Sequence, residues 1–230
     1  MIDKLKANLA AVRQRIDEAS RKSGRDATAI RLIAVTKYVD HQITRALIEA
    51  GCQDIGENRP QMLWDKADKL ADVDVNWHMI GHLQRNKVKR TVACSHLIHS
   101  VDSKRLLTAI NDTGRETNTM VNVLLEVNVS MEPAKKGFHS DELPEALAFV
   151  STLEFISVNG LMCMAGLGGD ADEARREFSS LRELKEKSQA SSPDNVDLAE
   201  LSMGMSRDFE MAIEEGATMV RVGSVLFEGI

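Results

Sequence analysis

The stretch "LSMGMSRDFEMAIEEGATMVRVGSVLF", residues 201–227, holds the pattern on which the architecture turns. It opens with an apolar run, passes through a helical segment at 207–215 closed by Gly216, and ends in a second apolar run at 219–227. The runs are continuous rather than alternating, as expected of strands covered by helices on their outer face and packed on their inner one. Strand, helix and strand in this order make a βαβ unit, whose strands are parallel.

The same unit recurs upstream. Strand-like runs lie at 31–37, 54–58, 77–81, 96–102, 121–129 and 157–164. Helical patterns fill the gaps at 41–51 (closed by Gly51), 59–70, 85–93, 103–113, 141–151 and 172–188. A further helix at 3–22 precedes them, with Ile2, Leu5, Leu9, Val12 and Ile16 spaced by three and four along one stripe. Eight strands with a helix in each gap predict an α/β fold: a single (β/α)8 TIM barrel with an extra N-terminal helix, one domain over residues 1–230. A doubly wound open sheet shares this alternation. The Ser/Pro-bearing stretch 188–195 reads as a surface loop before the seventh strand.

Of the 230 residues 43% are apolar, enough for a substantial core. The net charge of −6 argues against nucleic acid or an anionic membrane as partner. No apolar run reaches the length of a membrane span, and the charged N-terminus does not resemble a secretory signal. Cys52, Cys94 and Cys163 are scattered, without a CxxC, which suits a reducing cytoplasm.

In barrels the chemistry sits where strands end, at the C-terminal face. The first strand ends on Lys37 and the second on Asn58; the third carries His78, Ile80 and His82 on one side by the two-residue period. The seventh ends in "SMGMS" with Ser202, Met203 and Ser206, and the eighth in "RVGS" with Arg221, Gly223 and Ser224. Ser and Gly at strand-to-helix turns supply hydroxyls, N–H groups and close approach, the requirements of a phosphate. Loops after strands seven and eight are where barrels recurrently bind one. Ser206 could equally cap the helix at 207–215. Arg221, inside an apolar strand, needs a partner: a ligand's ring nitrogen or anion, or a core acid such as Glu57 or Glu126. Lys37, at the tip of a buried strand and near a cation, would be partly desolvated and more nucleophilic; a strand-end lysine can also simply reach solvent. An amine opposite a phosphate cup suits a phosphate-bearing aldehyde, which it would hold as an imine. The pairs His78/His82 and His96/His99 fall on strands without a cysteine or HExxH context, so no metal site is expected.

Taken together, "AVTKYV", "IGENRPQ", "WHMIGHLQRNK", "VNVSMEPAKKGF", "GLMCM", "LSMGMSRD" and "RVGS" resemble the pyridoxal phosphate homeostasis proteins, the YggS/PROSC family, from about residue 30 to 227. The resemblance implies a barrel of the alanine racemase N-terminal-domain type that binds pyridoxal 5′-phosphate (PLP). Carried over by motif, Lys37 would form the imine, and Arg221 would approach the pyridine nitrogen. Ser202, Ser206, Gly223 and Ser224 would surround the phosphate; Asn58, Met203, Ile80 and His78 would line the ring. The implied role is intracellular PLP homeostasis, buffering and delivery to PLP-dependent apo-enzymes by a monomer, without a clear catalytic turnover. An arginine beside the ring nitrogen fits this, because a group that is always protonated leaves the ring a weaker electron sink. The alternatives are an amino-acid racemase or lyase of the same fold type, and a barrel binding another phosphate ligand with Lys37 uninvolved. The racemase is expected to need a further domain, for which no chain remains after strand eight. Lys135 or Lys136, just after strand five, could serve in transfer. The ending "LFEGI" departs from the family's usual "IFG" with a short tail, which leaves the last turn open but touches no binding motif.

Overall fold

The computed structural model describes residues 2–130, 132, 136–166, 170–190 and 192–230. Its strands are β1 (Arg31–Val35), β2 (Asp54–Glu57), β3 (Asn76–Met79), β4 (Leu97–Val101), β5 (Val121–Asn128), β6 (Phe138–His139), β7 (Ile156–Met162), β8 (Val196–Met205) and β9 (Met219–Val222). All pairings are parallel. β1 pairs with β2 and β9, β4 pairs with β5, and β6 attaches only to β5, so the other eight strands close into a barrel. Closure excludes the open sheet. It also sets the last strand against the first, with Ile33 opposite Arg221 and Ala34 opposite Val222.

Around the barrel lie α2 (His41–Glu49), α3 (Pro60–Lys69), α4 (Val88–Val92), α5 (Lys104–Thr117), α6 (Leu143–Val150), α7 (Ala171–Gln189) and α8 (Phe209–Glu214). Their ends follow local chemistry. The Asp40 carboxylate accepts from the Gln42 and Ile43 N–H groups at the start of α2, and Asp170 accepts from Glu173 at the start of α7. Pro60 opens α3, where its missing N–H is no loss. Gly51 (φ 95°) and Gly216 (φ 107°) follow α2 and α8 in the left-handed region, as C-terminal glycines should.

The extra helix α1 (Ile2–Lys22) packs between α2 and α8 and takes the eighth place in the outer ring. Leu5, Leu9, Val12 and Ile16 are buried along the expected stripe, while Ile2 is exposed. The last apolar run differs from its expected form. β9 stops at Val222, and Ser224–Phe227 is a 3-10 turn under α1, where the Asn8 side chain donates to Leu226 O at 3.1 Å and Glu228 O at 3.0 Å. Leu226 is buried there. An apolar run reports burial, and a turn beneath a helix satisfies that as well as a strand does. β8 also starts earlier than expected, at Val196.

Most of the core lies between sheet and helices. Inside the barrel a smaller apolar layer of Ile33, Leu97, Leu124, Met162 and Met219 is topped by half-buried Ile80. The rest of the lumen is polar, with His78, His99, Ser202 and Arg221 hydrogen-bonded across it.

Candidate functional site

The C-terminal mouth is built from the ends of β8, β9, β1 and β2. Near the end of β8 the backbone bends at Gly204 (φ 88°), whose added Cβ would lie 2.5 Å from Ala212 Cβ and 2.9 Å from Phe209 Cα. Only glycine fits both the left-handed backbone and this contact. The Asp208 carboxylate holds the turn by accepting from Met205 N–H at 2.5 Å. Ser206 does not cap α8. Its hydroxyl instead accepts from Gly223 N–H at 3.0 Å, stitching the loop after β8 to that after β9. Gly223 packs against Val35, with space for a Cβ only at 3.3 Å from Val35 O. Ser224 follows, exposed at the rim.

Two residues beyond Val35 stands Lys37. It is not at the tip of the strand but in the turn that follows it, where Val39 N–H donates to Thr36 O at 3.1 Å. Its side chain is exposed, with Nζ 4.9 Å from the centre of the exposed Tyr38 ring. The expected partial desolvation is therefore absent: the turn swings the side chain outward, and the amine lies exposed at the rim. Behind this turn lies a fully buried ion pair that sequence reasoning did not find. Lys66 of α3 donates to Glu57 Oε1 at 2.5 Å and to Thr36 O at 2.7 Å, while Thr36 Oγ1 donates to the same carboxylate oxygen at 2.6 Å. Glu57 is thus engaged by Lys66 and Thr36, on the outer face of β2.

Arg221 projects into the lumen and is nearly buried. Its Nη1 donates to Ser202 O (2.7 Å) and Ser202 Oγ (2.6 Å), and Nη2 donates to Cys163 O (2.8 Å). Among the described residues its hydrogen bonds use neutral oxygens and leave Nε over. Burial pushes the guanidinium down from its usual range, countered by Cys163, Glu126 and Asp208. Glu126, two positions after inward-facing Leu124 on β5, shares its face and is itself buried. Burial, reinforced by Asp102, pushes its carboxyl up to about 7, against the pull of Arg221 and Lys136.

That value carries a pH dependence. An unfolded glutamate titrates near 4.3, so folding favours protonated Glu126. Its contribution is full below about pH 4.3 and is lost as the pH rises through about 7. Glu126→Gln is expected to match the parent protein near pH 4 and to exceed it by about 3–4 kcal/mol at pH 8. Denaturant unfolding at the two pH values measures this, and an equal gap at both would show that the carboxyl is not raised.

The remaining residues singled out in the sequence divide. Asn58 and Ile80 stand half-buried at the mouth; the Asn58 carbonyl approaches Gly81 so closely that an added Cβ would lie 2.2 Å from it. Met203 is buried in the layer between sheet and helices rather than facing the lumen. Ser202 and His78 are fully buried and hydrogen-bonded within the barrel, beneath the mouth rather than on its surface. Lys136 is exposed; Lys135 lies outside the described residues. His99, whose ring joins His78 to Ser202, escaped sequence reasoning, because β4 is buried on both faces and nothing in "HLIHSV" marks the inward side.

An open cavity of about 610 Å³ lies elsewhere, at the opposite, N-terminal face near Arg31, Asp54, Glu200 and Thr218. Its charged groups are partly paired, Arg31 with Glu200 and Asp54 with His78, whereas the mouth concentrates unspent donors: Lys37, Ser224 and Arg221 Nε. No helix among the described residues is long and apolar enough to cross a membrane.

A barrel of this kind with an amine, hydroxyls and a buried arginine at its mouth defines a class. Residues 3–229 match the model of the alanine racemase N-terminal domain. Alanine racemase from Clostridium difficile shares the fold at a TM-score of 0.76 and 14% identity, over 98% of this chain and 56% of that one. The likeness narrows with closer relatives. The pyridoxal phosphate homeostasis protein of Aquifex aeolicus is 40% identical over 95% of both chains, and that of Pseudomonas aeruginosa is 37% identical over 96% of this chain and 93% of that one. PipY of Synechococcus elongatus, solved with PLP bound, superposes with a TM-score of 0.86 at 33% identity, covering 97% of this chain and 99% of its own. The chain belongs to the pyridoxal phosphate homeostasis proteins, within the alanine racemase N-terminal domain family.

Proposed function

We propose that this protein binds pyridoxal 5′-phosphate at the C-terminal mouth and acts in PLP homeostasis, holding the cofactor reversibly and releasing it to apo-enzymes. One juxtaposition carries this reading. β9 lies between β8 and β1, so Ser206, Gly223 and the Lys37 turn share one edge of the rim, with Arg221 beneath them. The donors suit a phosphate-bearing aldehyde. Ser206, Gly223 and Ser224 offer hydroxyls and backbone groups for the phosphate, and the nearby Asp208 carboxylate is turned onto Met205 N–H. Asn58 and Ile80 flank the space for the ring. Ser202 and His78 support Arg221 from below, and Met203 backs the loop.

When bound, the cofactor supplies an aldehyde and an electron-accepting ring. Lys37 would condense with the aldehyde as an imine, losing one water, and the exposed position of its amine leaves the linkage open to hydrolysis and exchange. That is the behaviour a carrier needs. Arg221 donates but does not give up its proton, so the ring above it remains a weak electron sink and catalysis is not favoured. On this reading the protein is a monomeric, cytoplasmic carrier that acts on PLP and its recipient enzymes.

Mixing the protein with PLP, reducing with borohydride and mapping the adduct by mass spectrometry tests the assignment. The expected adduct is on Lys37; its absence there would overturn the site. Turnover of alanine, serine or threonine enantiomers by the PLP-loaded protein would make it an enzyme instead.

A further inference from the structure

Five side chains form one hydrogen-bonded chain across the barrel lumen. Arg221 Nη1 donates to Ser202 Oγ at 2.6 Å; Ser202 Oγ lies 2.8 Å from His99 Nδ1. His99 Nε2 lies 2.9 Å from His78 Nδ1, and His78 Nε2 lies 3.0 Å from Asp54 Oδ1. Ser202, His78 and His99 are fully buried, and Asp54 opens to the cavity at the N-terminal face. The chain therefore links the floor of the barrel to the arginine at its mouth.

Its two ends dictate where every proton sits. A guanidinium only donates, so Ser202 Oγ accepts from Arg221 and its own proton is free for His99 Nδ1. An ionised carboxylate only accepts, so His78 Nε2 carries a proton towards Asp54. Neutral His78 then presents Nδ1 as an acceptor, which requires the proton on His99 Nε2. Neutral His99 in turn presents Nδ1 as an acceptor to Ser202, where the count from the other end arrived. A proton added to His78 Nδ1 would face the His99 Nε2–H, and one added to His99 Nδ1 would force the Ser202 hydroxyl to turn its own proton out of the chain. With both rings neutral, Nε2–H on each is the one arrangement that satisfies every contact. Burial works the same way: it lowers the pKa of His78 and, with His78 and Arg221 nearby, takes that of His99 well below its usual value. At the far end, hydrogen bonds from His78 and Asn76 outweigh burial and keep Asp54 ionised.

We propose that Asp54, His78, His99 and Ser202 form a one-directional relay that positions Arg221, and that His99 and Ser202 are thereby positioning residues for the ring bound above it. The relay holds Nη1 by a hydroxyl whose proton is drawn away, which strengthens its acceptance from the guanidinium. With Nη2 on Cys163 O, this fixes the plane of the guanidinium and leaves Nε as the donor available to a ligand. The functional half of the inference rests on the reading of the mouth as a PLP site.

Two measurements test it. Nitrogen-15 NMR of histidine-labelled protein without added cofactor reads the ring tautomers directly. His78 and His99 are expected as neutral Nε2–H rings that do not titrate between pH 5 and 8; an Nδ1–H or protonated His99 would overturn the relay whether or not PLP binds. The second is a double-mutant cycle on PLP affinity and on the absorption of the bound cofactor, with folding checked by near-UV circular dichroism. His99→Phe and Ser202→Ala are each expected to weaken PLP about tenfold and to shift its absorption, as loss of support for a charged hydrogen bond should. In an Arg221→Met background His99→Phe is expected to add nothing. Losses that simply add, or an unshifted absorption, would reduce His99 to a packing residue and sink the proposal. Absence of any Lys37 adduct in the parent protein would defeat the proposed function, with the NMR result still deciding the relay.

Discussion

Lys37→Ala protein is expected to form no borohydride-stable adduct and to lose the imine absorbance entirely, while still binding PLP weakly. The effect on the covalent link is all-or-none, because alanine has no amine and the rim offers no replacement in the same turn. Tyr38 follows Lys37, and Asp40 is committed to capping α2. The remaining affinity comes from groups the substitution does not touch: Ser206 and Gly223, tied at 3.0 Å, together with Ser224 and Arg221. Folding should be unaffected, since the Lys37 side chain is exposed and surface substitutions away from special features stay within about 0.5 kcal/mol. Absorbance titration and equilibrium dialysis with PLP separate the two contributions. Unchanged affinity in Lys37→Ala would make the lysine incidental and leave a barrel that binds a phosphate ligand without an imine.

The largest loss of stability is expected from Lys66→Met. The Lys66–Glu57 pair is among the most buried in the molecule, at 1% and 0% side-chain exposure, and Glu57 Oε2 has no partner beyond it. Removing the amine leaves a carboxylate in the sheet–helix layer with only Thr36 Oγ1 to satisfy it, and strips Thr36 O of a donor. Breaking a buried pair from one side costs about 3–5 kcal/mol. For a chain of this size that lowers Tm by roughly 10 °C. Adding Glu57→Gln removes the charge while keeping an acceptor for Thr36, so the double variant should recover much of the loss. Thermal unfolding of the three variants measures this; a double variant worse than Lys66→Met alone would show that packing, not the unpaired charge, dominates. Thr36 precedes Lys37, so Lys66→Met should also lower the yield of PLP adduct at temperatures where the protein remains folded.

The pair illustrates what can and cannot be read along a chain. The sequence offers Glu57, with Glu126, only as a core acid that Arg221 could pair with. The barrel places the two on opposite faces of the wall: Glu57 turns outward to α3, while Arg221 turns inward to Ser202 and Cys163. Ser206 is a second case. Its spacing before α8 allowed a helix cap, and its actual partner, Gly223, lies 17 positions further on. Lys37 is a third. "RLIAVTK" reads as one strand to its last residue, yet pairing ends at Val35, and a two-residue difference moves the amine from a desolvated tip to an exposed turn.

The alternation of strands and helices, the closing glycines after α2 and α8, the buried stripe of α1 and the order of the strand tips were all legible in the residues themselves. They rest on periodicity and turn chemistry, which act over a few neighbouring positions and leave their mark there. The motifs "SMGMS" and "RVGS" were legible for the same reason, each being a short turn with its own requirements. The relay from Asp54 to Arg221 was not. His99 and Ser202 meet across 103 positions, brought together by barrel closure and by the inward side of β4, buried throughout, and of β8, buried on both faces around Ser202. Contacts of that kind depend on how the wall curves and which face each strand presents, and no local pattern encodes either.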